Sequence, residues 1–504
     1  MDARRAGEAE PASAGACPAA RNRRAGRGGA AALGAVCAAF AAAGLLLVPI
    51  GLGLGWDEVV YVSQYDPRNP AAFFSAPRSR GVSLLAAPVV LATGSVPVLR
   101  AWLACAAALA MLAGFWPWLR LWPTPVVAPL AALGYATLWV SLFYTASAMP
   151  NHYTAMAAVG AVGWFLAAAR GRGPRGALAA LGAMLVVAGL MRPSDAFWLA
   201  APLGAAALAV PAWRRPGLVA AVAVGALAGV APWLVEAQAV YGGVLERLVR
   251  AGEIQGGTEP TFALAHSVAT LDGPLLCRPC DGDAVRWPAL LWWAALVPLV
   301  ALGVASARRA RRAAGLLPVA VAASMSFTYL FLIDYSAPRF LLPVYALLAV
   351  PAAAGTVRLW SAANRRTRPA LGAGLAVALA GHLLIQGVIV THWAASHTAA
   401  RQEYARLADA LHGAGLRPPC LLTGDEAVPI AYYAGCASAA PSGSNATHSL
   451  DGLLTLGRTV PFGLLDRGGS PPDWAADWRA LPVGPAPDPR AWVLYVPEWS
   501  PVAD

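Results

Sequence analysis

Two adjacent acids, Asp57 and Glu58, stand directly after a long apolar run near the N-terminus, and Arg78 and Arg80 follow in the same polar stretch. Further along, His152 opens an apolar run in Asn151-His152-Tyr153. Arg192 and Asp195 share the turn Met191-Arg192-Pro193-Ser194-Asp195, and Asp334 and Arg339 share Asp334-Tyr335-Ser336-Ala337-Pro338-Arg339. Ionisable groups beside membrane-length apolar segments are costly and are functional candidates for that reason. A carboxylate at such a boundary can accept a proton from a hydroxyl nucleophile. Arginine binds phosphate with paired donors and stays charged at any working pH. A base and phosphate-binding cations held over lipid suit transfer of a group from a lipid phosphate to an acceptor hydroxyl. The departing phosphate gains negative charge, which fixed cations stabilise. Neighbouring residues on a helix point apart, so Asp57 and Glu58 have different jobs: one is the base, the other orients an arginine or a metal. No metal motif is visible and no cofactor is assigned; a carboxylate-bound divalent cation stays open.

The rest of the chain must position these groups. Of 504 residues, 58% are hydrophobic and only 12% charged, about half the roughly 25% charge of soluble domains. That excludes a soluble globule, and it excludes disorder over most of the length. A span needs about 20 apolar residues, and eleven such runs are read, at 30–53, 96–116, 124–146, 152–170, 176–191, 195–212, 217–235, 287–305, 313–333, 338–357 and 370–391. The predicted fold class is an α-helical polytopic membrane protein with about eleven transmembrane helices. A further apolar stretch over 82–96 holds Pro88 and Gly94 and reads as interfacial or re-entrant, with a twelfth span as the alternative.

Every one of the 37 basic residues is Arg, and the net charge is +11. The arginines cluster between apolar runs, which fits membrane topology and not a nucleic-acid surface. Twenty of them fall in the N-terminal tail and in alternate loops, and only Asp2, Glu8 and Glu10 share that side. The positive-inside rule then puts the N-terminus in the cytoplasm and the C-terminus outside a plasma membrane. Residues 1–29 read as a disordered cytoplasmic tail and 30–395 as the transmembrane domain, with outer loops at 54–95 and 236–286. Residues 396–504 read as a small extracytoplasmic α/β domain, with a helix over 400–415 and strands at 420–423 and 492–496.

Trp56-Asp57-Glu58-Val59-Val60-Tyr61 after one long hydrophobic helix resembles the opening of the GT-C glycosyltransferases, multi-span enzymes that use polyprenyl-phosphate sugars. Within them the chain is most similar to the branch holding protein O-mannosyltransferases and lipid A aminoarabinose transferases. Arg78-Ser79-Arg80-Gly81, Arg192-Pro193 and Pro338-Arg339-Phe340-Leu341-Leu342-Pro343 carry the same resemblance, as does the outer C-terminal domain. It implies an inverting transfer on the extracytoplasmic side, with Asp57 as general base and Glu58 as supporting carboxylate or alternative base. Arg78, Arg80, Arg192 and Arg339 become the donor-phosphate cations, and His152, Asp195 and Asp334 remain further candidates. The implied partners are a polyprenyl-phosphate-linked sugar and an envelope glycan, lipid or protein acceptor, with membrane lipids around them and no nucleic acid. The branch often carries a Lys-Pro-Pro-like element in the first loop, where this chain has Ala76-Pro77-Arg78-Ser79-Arg80. An arginine there keeps the charge and changes the geometry.

Plainer readings compete. Asp57 and Glu58 would be a solvated pair ending a helix, Arg192 an interfacial anchor, Asp334 and Arg339 a pair across a turn, and His152 a headgroup-level hydrogen-bonder. Whole-protein rivals are a transporter or lipid flippase and a non-catalytic envelope assembly protein; the former needs charged or broken helices near mid-membrane. Cys277 and Cys280, in Cys277-Arg278-Pro279-Cys280, lie on the predicted outer side, where disulfides persist. A local bridge is the leading reading, ahead of redox catalysis or half a zinc site. Cys420 and Cys436 form a second candidate bridge, and Cys17, Cys37 and Cys105 are expected free.

Overall fold

The computed structural model describes residues 18–171, 174–257, 259–280, 285–307, 312–483 and 492–500. All eleven apolar runs contain helix. Ten hold one continuous helix each: Pro18–Leu47, Val96–Phe115, Asn151–Ala169, Pro174–Met191, Pro193–Ala209, Pro216–Val240, Trp287–Ser306, Arg312–Phe331, Leu342–Ala362 and Arg368–Gly413. Several start with proline in the first turn, where its missing N–H costs nothing and its fixed φ suits the helix. Among the described residues, eight helices are long and apolar enough to cross a membrane. The chain is an α-helical polytopic membrane protein with a small C-terminal sheet domain.

The helix boundaries differ from expectation in places. The run 124–146 is not one helix: it breaks into Val127–Ala136 and Trp139–Phe143, with Leu138 extended between them. Thr137 Oγ1 turns back onto the Leu133 carbonyl at that break and meets His382 Nε2 at 3.1 Å. The segment 82–96, read as interfacial or re-entrant, holds the helix Gly81–Val90, which at about 15 Å is half of what a crossing requires, so the alternative of a twelfth span is not met. The polar change near His392 does not end a helix either: Arg368–Gly413 runs unbroken through position 396 for 46 residues. Of the tail at 1–29, residues 1–17 lie outside the described residues, and from Pro18 the chain is helical.

Small residues let the helices approach closely. Gly303 and Gly355 face each other's helices so tightly that a Cβ on Gly303 would run into the Pro351 carbonyl, and one on Gly355 into that of Leu299. The expected loop 236–286 is partly ordered as the helices Val244–Ile254 and Leu264–Ala269.

The C-terminal domain is a mixed five-stranded sheet of β1 (Leu421–Gly424), β2 (Ala437–Ser438), β3 (Phe462–Arg467), β4 (Arg479–Pro482) and β5 (Trp492–Val496). Its order is β2-β1-β3-β5-β4. β1 runs parallel to β2 and β3, while β5 is antiparallel to β3 and β4. Leu407 and Leu411 from the end of the long helix pack with Leu422, Ile430, Leu465 and Leu494 in this domain's core. One helix therefore belongs to both the bundle and the sheet domain. Cys420 is bonded to Cys436 inside this core, and Cys277 to Cys280 in the 271–280 segment. Cys37 and Cys105 are free thiols, and Cys17 lies outside the described residues.

Candidate active site

The first polar stretch begins with the two-turn helix Trp56–Val62, which carries Asp57 and Glu58 in its first turn. Glu58 points inward and is 2% exposed. Its carboxylate accepts from the Gly55 N–H at 3.1 Å, the Ala148 N–H at 2.9 Å, Arg100 Nη2 at 3.0 Å and Arg401 Nη1 at 2.8 Å, with a further short contact to Arg100 Nη1. Arg100, equally buried, also donates to the Leu52, Gly53 and Ala146 carbonyls. A buried carboxylate is tolerated only when paired and hydrogen-bonded in this way. Burial alone would raise the Glu58 pKa, but Arg100 and then Arg401 override it and hold it at about 2, against an ordinary 4.5. Glu58 is thus a structural anion, and the expectation that it is an alternative base is corrected: its oxygens are already filled by four donor groups.

That pairing fixes a pH dependence. A carboxylate with a lower pKa folded than unfolded stabilises the fold above its unfolded value and loses that contribution as pH falls. Thermal stability in detergent is expected to hold down to about pH 4.5 and to drop progressively toward pH 2. Glu58→Gln should shrink the drop; a variant with the same acid profile as wild type would contradict it.

Successive helical residues diverge by about 100°, so anchoring Glu58 inward turns Asp57 to the other side. Its carboxylate is 34% exposed and bridges two arginines, accepting from Arg78 Nη2 at 2.8 Å and Arg339 Nη2 at 3.2 Å. Arg78 is braced by Ser75 Oγ at 2.9 Å and lies over the Tyr61 ring. Arg339, in the short turn Pro338–Leu341, donates from Nη1 to Tyr144 Oη at 3.2 Å and to the Leu275 carbonyl at 3.0 Å. Cys277 exchanges backbone hydrogen bonds with Ser336, so the disulfide segment braces the same turn. Arg192 and Arg339 flank one ring, that of Phe340, at 5.6 and 5.4 Å. Arg192 Nε also lies 3.4 Å from Asp195, whose other oxygen accepts from Tyr329 at 2.6 Å. Burial opposes ionisation of Asp57, but Arg78, then Arg339 and Arg192, hold its pKa below the ordinary carboxylate value. Three guanidinium groups against two carboxylates leave this pocket of charge net positive, which suits an anion.

The site collects Asp57, Arg78, Arg192, Asp195 and Arg339, and not the others. Arg80 turns away to Glu236, with Gln64 Oε1 at 2.7 Å and the Phe74 ring beneath it. Glu236 is shared with the buried Arg247, which in turn supports the Ala76 and Arg78 carbonyls. Arg80 is a brace in this structure and not a partner of Asp57. His152 is buried in the bundle, where Tyr135 Oη and the Ala107 carbonyl occupy its two nitrogens at 3.0 Å each. Asp334 is exposed, and the pair it was expected to form with Arg339 is not made, because Arg339 reaches Asp57 instead. Arg100 and Arg401 were missed by sequence. Arg100 carried a signal, an arginine inside an apolar run; Arg401 carried none.

Among the described residues no three His, Cys, Asp or Glu side chains gather to hold a metal ion. Asp57 and Glu58 each already accept from two arginines. Cations surround both carboxylates, so this donor set does not fit a divalent cation.

No protein-family model matches the chain, and no curated protein matches it. Solved structures do match. ArnT from Cupriavidus metallidurans bound to undecaprenyl phosphate is similar with a TM-score of 0.65 and 14% identity, over 92% of this chain and 98% of that one. Its apo form gives 0.59 and 13% over the same shares. The apo oligosaccharyltransferase of Archaeoglobus fulgidus gives 0.51 and 13%, over 80% of this chain and 64% of that one. These likenesses show the fold: the helical arrangement over most of this chain is like that of ArnT.

Proposed function

We propose that the chain is a membrane glycosyltransferase that moves a sugar from a polyprenyl-phosphate donor to an acceptor hydroxyl of the cell envelope. Transfer takes place on the extracytoplasmic face, where the arginine distribution puts Asp57, and it proceeds with inversion. Asp57 is the general base. The acceptor oxygen attacks the anomeric carbon as its proton passes to Asp57, the bond from that carbon to the phosphate oxygen breaks, and polyprenyl phosphate leaves. Arg78, Arg339 and Arg192 take up the charge that develops on the leaving phosphate. The fold supports this reading, since ArnT has been solved with undecaprenyl phosphate bound. An apolar groove of about 770 Å³ among the helices Val127–Ala136, Trp287–Ser306, Leu342–Ala362 and Arg368–Gly413 offers room for hydrocarbon but no arginine for phosphate. The observation that carries the proposal is the partly exposed Asp57 carboxylate held between Arg78 and Arg339.

The bridge also implies competition. A donor phosphate must draw the two guanidinium groups from Asp57, and losing them returns the carboxylate toward ordinary basicity. A base works deprotonated, so activity falls as pH falls. The acid limb of kcat, which reports the donor complex, is expected at higher pH than the acid limb of kcat/KM, which reports the free enzyme. Coincident limbs would argue against the competition.

The function is tested in a deletion strain complemented with wild type or Asp57→Asn. The expected result is that one lipid-linked sugar accumulates in the deletion and the Asp57→Asn strains and is consumed with wild type. Unchanged lipid-linked sugars and envelope glycans in the deletion strain would overturn the proposal.

A further inference from the structure

We propose that the C-terminal domain is an integral part of the catalytic site, with Arg401 and Tyr433 as positioning residues that aim Asp57. The inference rests on the reading of Asp57 as the base. The helix that carries Asp57 has only seven residues, and a helix so short is not stable by itself. Its entry is held by the far end of the chain. The Leu54 N–H donates to Tyr433 Oη at 2.6 Å. Arg401 Nη1 donates both to the Gly53 carbonyl at 2.7 Å and to Glu58 Oε2 at 2.8 Å. The exit is held as well, because Tyr432 Oη donates to Asp66 Oδ2 at 2.7 Å. Tyr432 and Tyr433 are consecutive on the helix Ala427–Ala434, so one element grips both ends of the segment 54–66.

The sequence of the held segment fits its holder. In Gly53-Leu54-Gly55, a Cβ on Gly53 would come within 2.8 Å of Tyr433 Oη, and one on Gly55 within 2.7 Å of Arg401 Nη2. Two glycines thus leave the room that the tyrosine and the arginine occupy. Arg401 sits on the long helix Arg368–Gly413, which is packed into the sheet domain's core by Leu407 and Leu411. Movement of that domain is passed through Arg401 to Glu58, and from Glu58 to its neighbour Asp57. No hydrogen bond or ion pair joins Arg401 or Tyr433 to Asp57, Arg78 or Arg339, so donor binding and base alignment are served by separate residues.

The test compares Arg401→Gln, Arg401→Lys and Tyr433→Phe with wild type in nanodiscs, with a polyprenyl-phosphate sugar as donor. Misplacing a catalytic group by about 1 Å costs on the order of 10²-fold. Arg401→Gln is expected to lower kcat by about that factor and Tyr433→Phe, which removes one hydroxyl and no charge, by roughly tenfold. Donor KM should stay within about twofold, because Arg78 and Arg339 are untouched, and Arg401→Lys should recover part of the rate by restoring the charge. Wild-type kcat in the folded variants overturns the inference, and so does a rise in donor KM equal to the loss in kcat. If Asp57→Asn transfers sugar normally, the base assignment itself fails. If Asp57→Asn is inactive while the Arg401 and Tyr433 variants keep full rate, only the positioning role fails.

Discussion

Asp57→Asn is expected to slow sugar transfer by about 10²–10⁴-fold, the range of a lost general base, without unfolding the protein. Asparagine keeps the shape of the side chain and can still accept from one arginine. It loses the charge, and with it the capacity to take the acceptor's proton. Asp57 accepts from Arg78 and Arg339 in the unliganded site, so removing its charge also removes a competitor for the donor phosphate. The variant should therefore bind polyprenyl phosphate at least as tightly as wild type while transferring sugar far more slowly. A proportional loss of binding and turnover would instead mark Asp57 as a structural residue. Equal turnover would remove it from the chemistry.

Arg100→Leu has the largest expected effect on stability. It takes from Glu58, a carboxylate that is 2% exposed, its fully buried partner and leaves Arg401 as the one arginine facing it. It also removes the donor to the carbonyls of Leu52, Gly53 and Ala146. Breaking one side of a buried pair costs about 3–5 kcal/mol when the remaining charge is left uncompensated, and the remaining pairing with Arg401 puts the expected loss toward the lower end of that range. The loss should appear as a lower thermal midpoint in detergent and a lower folded yield. Arg100→Leu combined with Glu58→Gln should cost less than the two single changes added together, because the residues share one network. Additive losses would show that the two groups do not depend on each other.

Charges beside long apolar runs are conspicuous because they are rare there, which is why Asp57, Arg78, Arg192 and Arg339 could be picked out from residue type and topology. Their partners could not. Asp57 and Glu58 look equivalent in sequence, and what separates them is the approach of Arg100 and Arg401 from far along the chain. Arg78 and Arg80 look equally suited to phosphate, yet Glu236, 156 positions from Arg80, captures the second of them. His152 opens a helix that lies deep in the bundle, where burial with two hydrogen-bonding partners replaces the boundary role read from its position. The break at Leu138 lies inside a mostly apolar run with neither glycine nor proline at the break, so hydrophobicity alone could not reveal it. The helix that passes His392 shows the reverse. A change from apolar to polar residues marks a change of surroundings, while a run rich in alanine continues to favour helix until Gly413.

The most direct test of the account is a structure of the protein in a lipid nanodisc with polyprenyl phosphate bound. The expected result is a phosphate held by Arg78 and Arg339, with the Asp57 carboxylate released from them and facing the space where the sugar and acceptor meet. A phosphate bound elsewhere, with Asp57 still bridging both arginines, would contradict it.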